Sequence, residues 1–178
     1  ILDEIVPANS SNLLKADEAE ELANPVYNFF VRAWLPCQAL LLAYGIFAVC
    51  TRGFSVAELV GICVAVGITG GASINVAHEL MHRRGNLDKG LAEGIMTLVS
   101  YTHFCVEHVH GHHKNVATHV DPATSRLGES VYAFVPRSVI GGVRSFFAIE
   151  ARLAARYADR GITLLDRRVR YPLVLFSL

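Results

Sequence analysis

The feature that most constrains this 178-residue chain is a pair of long apolar segments separated by a handful of residues. Residues 26–50 and 56–77 are each long enough to cross a bilayer, which takes about 20 mostly apolar residues. Arg32 and Pro36 lie early in the first, and Tyr27 and Trp34 are of the type that gathers at a membrane–water boundary. The second carries a single charge, Glu58, and its helical pattern continues to His82. Thr51-Arg52-Gly53-Phe54-Ser55 reads as a tight turn, which predicts an antiparallel transmembrane hairpin of helices 26–50 and 56–82. A buried soluble helix pair is the alternative. Gly67 and Gly71, with Gly70 beside them, give a G-x-x-x-G spacing that admits a close helix neighbour. Only 18% of residues are charged and 52% are hydrophobic, against about 25% charged in soluble domains. That balance excludes a disordered chain, a coiled coil and a nucleic-acid-binding tail. The expected fold class is all-α, an integral membrane protein.

Charge is polarised along the chain. Residues 1–24 hold Asp3, Glu4, Asp17, Glu18, Glu20 and Glu21 against Lys15, while eight arginines fall within residues 137–170. The hairpin turn has only Arg52, whereas Arg83, Arg84, Lys89, Lys114 and Arg126 follow the second segment. By the positive-inside rule, everything after the hairpin up to residue 170 is expected on the cytoplasmic side. The chain opens on Ile1-Leu2 and stops within an apolar run, Pro172 to Leu178, so it reads as one partial domain of a longer protein. Its expected plan is a cytoplasmic lead-in over 1–24, the hairpin, an interfacial helix over 87–113 and a loop over 114–135. A cytoplasmic helix over 136–160 follows, then the start of a truncated transmembrane helix over 171–178. Asp88 and Glu93 suit the N-terminal end of the interfacial helix, whose apolar middle is short for a span. Cys37, Cys50, Cys63 and Cys105 form no C-x-x-C pair and read as small buried hydrophobes.

All eight histidines fall between residues 78 and 119. His78 and His82, four apart, share one helix face one turn apart, which lets two imidazoles reach one metal. His108, His112 and His113 form a second group, H-x-x-x-H-H, with Gly111 leaving room beside the pair. These five are the candidate metal ligands, and imidazole alone leaves Zn, Fe, Cu and Ni open. His103, His110 and His119 are assigned supporting or solvated roles. Asn75, one turn before His78, could orient a ligand ring; Glu107 and Asp121 are either supporting carboxylates or a helix-end charge and a turn former. His78-Glu79-Leu80-Met81-His82 also reads as H-E-x-x-H, the zinc-protease pattern in which the glutamate is the general base. A membrane zinc protease is therefore the rival enzyme. Such a site needs one further ligand, and this chain offers three.

His78-Glu79-Leu80-Met81-His82-Arg83, the run Glu107-His108-Val109-His110-Gly111-His112-His113, Val116-Ala117-Thr118 and the stretch from Asp121 to Ser130 together resemble the integral-membrane alkane hydroxylases (alkane 1-monooxygenases), within the membrane fatty-acid desaturase and hydroxylase superfamily. The H-x-x-x-H-H spacing favours a hydroxylase over a desaturase. The resemblance implies a non-haem centre of two iron ions held by His78, His82, His108, His112 and His113, with zinc the alternative metal. It implies insertion of one atom of O₂ into a terminal C–H bond of a hydrocarbon, with electrons from a rubredoxin or ferredoxin-type donor. It places the protein in a bacterial inner membrane with the metal on the cytoplasmic face. The positive stretch from Arg137 to Arg170 would meet an acidic carrier or lipid headgroups. The family also takes ligands from a later H-x-x-H-H box, which is not found up to Leu178, so this stretch alone is expected to be inactive. A desaturase-like enzyme or a non-catalytic metal-binding relative are the remaining alternatives.

Overall fold

The computed structural model describes residues 23–157, and every described element is helical. The lead-in up to residue 22, the end of the helix expected to reach 160, and the apolar run over 171–178 lie outside the described residues. Internal contacts group Ile1–Ala33 and Trp34–Leu178 as separate units.

Helix α1 spans Pro25–Thr51. Its start is local chemistry: the Asn24 side chain accepts from the N–H of Val26 at 2.9 Å, and Pro25 supplies a first helical residue that needs no donor. In the first unit Phe29 and Phe30 meet edge to face. Helix α2 spans Val56–His82 and opens with a capping box, in which Ser55 and Glu58 each satisfy the other's backbone N–H. In the second unit the two helices are pinned by the Trp34 indole, whose Nε1–H donates to Ser73 Oγ at 2.9 Å. Both helices are long and apolar enough to cross a membrane. Phe47, Leu40, Val60 and Ile68 are exposed, the outward apolar face that a lipid-solvated hairpin presents. Cys37, Cys50 and Cys63 are exposed on it too, correcting the expectation that they are buried; they are apolar residues turned outward. Of Gly67, Gly70 and Gly71, only Gly70 has a close neighbour, Val99, while Gly67 and Gly71 face open space among the described residues.

The helix expected over 87–113 is broken. Helix α3 runs Asn86–Leu98 and buries Asp88, Ala92, Ile95 and Met96 as it folds back along α2. It ends because Ser100 takes a left-handed conformation (φ 57°) and the Tyr101 N–H closes onto the Met96 carbonyl at 2.8 Å. No Gly or Pro marks this stop, which is why the apolar pattern reads through it. The chain resumes as α4, Phe104–Glu107, continues through a π-helical turn over His108–His112, and finishes in a single turn, α5, over His113–Asn115. An irregular segment with positive φ at Ala117 and Gly128 leads to α6, Val131–Tyr157. That helix starts five residues before the expected Pro136, because Ser130 Oγ accepts the Ala133 N–H and so caps it. The core between α4 and α6 is Val106, Phe146 and Ile149, with Leu153 against it.

Candidate metal centre

Four histidines converge where α2 ends. One ligand nitrogen from each of His78, His82, His108 and His113 lies within 4.8 Å of all the others. Nε2 of His82 is 3.3 Å from Nε2 of His78 and 3.3 Å from Nε2 of His108, and Nε2 of His113 is 3.0 Å from Nε2 of His108. Two imidazoles bound to one ion at roughly 2.0–2.1 Å have nitrogens about 2.9–3.4 Å apart, so the spacing fits a shared cation. The donor chemistry fits as well. Burial, then the surrounding imidazoles, push the His108 pKa down to about 3, leaving its ring neutral and able to donate a lone pair.

The π-helical turn decides which histidines meet. In an α-helix His108 and His112 would align and His113 would point well away. Here the His113 N–H bonds the His108 carbonyl, five residues back, and His113 swings onto the face of His108. His112, expected as a fifth ligand, is not among the four converging rings. It stacks beside His108 with centroids 5.2 Å apart, and its Nδ1–H donates to Asp121 Oδ2 at 2.8 Å. That leaves its Nε2 as the nitrogen available to a metal.

The supporting residues separate clearly. The Asp121 side chain is fully buried. Burial raises its pKa, but hydrogen bonds from the Thr124 hydroxyl (2.5 Å), the Ala123 N–H (2.9 Å) and His112 outweigh that and hold it below the usual value. Glu107 is buried on the α6 side, where burial pushes its carboxyl up against a hydrogen bond from Ser145, and its Oε1 has no hydrogen-bond partner among the described residues. Glu79 is engaged by Arg83 at 2.6 Å, one turn on along α2. The Asn75 side chain is exposed and makes no hydrogen bond among the described residues. His110 and His119 are exposed, but His103 is buried between Tyr101 and Phe146. Glu150, one of the few acids in the arginine-rich stretch, is also buried, facing inward from α6. Glu150 carries no signal in a sequence pattern dominated by arginine.

An apolar helical hairpin that delivers two histidines to a four-imidazole cluster defines a class: helical proteins of membrane type with a histidine metal site. The chain belongs to the fatty acid desaturase family, which matches residues 54–177. It is 34% identical over 157 residues to the alkane 1-monooxygenase of Acinetobacter baylyi, covering 88% of this chain and 38% of that protein. It is 36% identical to the alkane 1-monooxygenase of Ectopseudomonas oleovorans, over 70% of this chain and 31% of that protein. To the xylene/toluene monooxygenase hydroxylase component of Pseudomonas putida it is 29% identical, over 62% of this chain and 30% of that protein. The chain thus spans less than half the length of these relatives.

Proposed function

We propose that the chain is the part of a membrane monooxygenase that carries the first histidine ligands for a non-haem centre of two iron ions. The observation that carries this reading is the convergence of four Nε2 atoms at the end of an apolar hairpin. In this reading His78, His82, His108, His112 and His113 would hold the metal, and iron bound there would supply the O₂ activation that a hydrocarbon hydroxylation needs, one oxygen atom going into the C–H bond and the other to water with two electrons from the rubredoxin or ferredoxin-type donor and two protons. The chain's own residues do the rest. Asp121 keeps the proton of His112 on Nδ1 and presents Nε2, while Glu107 fills the space behind the π-helical turn. The apolar hairpin lets a hydrocarbon dissolved in the bilayer reach the metal without crossing water.

Arg83, Arg84 and Lys89 after α2, against Arg52 alone in the hairpin turn, support a cytoplasmic metal face, and the relatives' source supports a bacterial inner membrane. The exposed Arg144, Arg152 and Arg156 of α6 supply positive charge for an acidic rubredoxin or ferredoxin-type donor, or for anionic headgroups. A zinc protease needs Glu79 free to take a proton from water, and Arg83 engages that carboxylate.

The test uses the full-length parent protein in membranes, supplied with a linear alkane, O₂, rubredoxin and its reductase. The expected result is two iron ions per chain and a primary alcohol product, with both lost in His113→Ala. Alcohol formation that survives His113→Ala would end this reading.

A further inference from the structure

The irregular segment between Val116 and Ser130 carries Asp121, and one face of α6 grips it twice. Arg137 spreads its guanidinium over several acceptors: Nε and Nη2 each donate to the Glu129 carboxylate at 2.6 Å, Nη1 to the Pro122 carbonyl at 3.2 Å and Nη2 to the Thr124 carbonyl at 3.0 Å. One helical turn further on, Gly141 meets Pro122 so closely that a Cβ there would lie 2.6 Å from the proline Cβ. The gripped stretch is also braced internally. Thr124 donates to Asp121 and accepts from the N–H of Ala117, the residue held at φ 64°. Asp121 in turn receives the Nδ1 proton of His112.

The geometry points to Arg137 and Gly141 as positioning residues for the metal centre: together they hold the Pro122–Glu129 stretch against α6 so that Asp121 sets the ring orientation of His112. This rests on the reading of His112 as a metal ligand. The physical reason lies in what the segment lacks. It forms no regular backbone ladder, so the place of the Asp121 carboxylate depends on these anchors. A planar fork is required, because a lysine ammonium cannot reach a carboxylate and two carbonyls in the same arrangement. A side chain at 141 would push Pro122, and with it the neighbouring Asp121, off the helix.

The test titrates cobalt(II) into metal-free full-length protein and reads both affinity and the ligand-field spectrum. Arg137→Lys, Gly141→Ala and the nearly isosteric Glu129→Gln are compared with His112→Ala. Each of the three is expected to weaken, by about 10- to 100-fold, the binding step that His112→Ala removes, and to alter its spectrum, with helix content unchanged. A lower melting temperature with wild-type cobalt affinity and spectrum, while His112→Ala loses the step, overturns the inference and leaves the functional reading standing. Wild-type cobalt binding by His112→Ala overturns both, since His112 is then no ligand.

Discussion

The carboxylate of Glu107 lies where a side chain at position 111 would begin: a Cβ built on Gly111 collides with Glu107 Oε1 and comes within 3.0 Å of Ile149 Cδ1. The glycine therefore does more than leave room beside His112. It lets the π-helical turn pack directly over a buried acid and onto α6.

Gly111→Ala should lower stability by about 1–3 kcal/mol, the range for overpacking a filled core, despite alanine's better helix propensity. The same change should weaken metal binding, because the turn that carries His108 and His113 must shift. Thermal melting in detergent and an iron titration measure the two effects. An unchanged melt would mean that Glu107 swings aside without cost.

Asp121→Asn keeps the size of the side chain but removes the charge that favours a proton on Nδ1 of His112. Metal affinity should fall about 10- to 100-fold while the far-UV spectrum is preserved. The check is a competitive zinc or iron titration against a chelator of known strength.

Acid should destabilise the metal-free protein. The unfolded chain's imidazole takes up its proton near 6.5, whereas folded His108 does so only near 3, because burial and then His78, His113, His112 and His82 oppose its charge. Between those values the unfolded state binds more protons, so the contribution of His108 to stability is intact above pH 6.5 and is lost as the pH falls toward 3. Unfolding midpoints measured across that window should decline, and His108→Asn should flatten the slope.

Ser73→Ala removes the acceptor of the Trp34 indole inside the hairpin. The fully buried serine leaves no water to replace it, and the loss should be about 1 kcal/mol. Denaturant or thermal unfolding in micelles measures it, with Trp34 fluorescence shifting in the same variant.

How much of this was legible beforehand follows the range of each interaction. The hairpin limits could be read from residues 26–50 and 56–82 because helix length and turn chemistry are local: the apolar run, the Ser55 and Glu58 cap and the Asn24 cap lie within a few positions of one another. The break at Ser100 could not, since a non-glycine residue at positive φ leaves no mark in the apolar pattern. Asp121 was legible as a carboxylate near the histidines, but not as the partner of His112, nine residues away across an irregular segment.

By itself the sequence determined two apolar helices, the pairing of His78 with His82 on one face, and a restricted stretch holding every other imidazole. Tertiary structure decided which of those imidazoles meet. A π-helical turn, five residues to its hydrogen-bonded ring, re-phased His113 onto His108 and turned His112 toward Asp121. It also decided that Glu107, His103 and Glu150 face inward, though nothing in their neighbours' residue types says so. Periodicity depends on backbone geometry over a turn or two. The meeting of α2 with the π-helical turn, and the grip of α6 on the Asp121 segment, depend on packing between elements far apart in the chain.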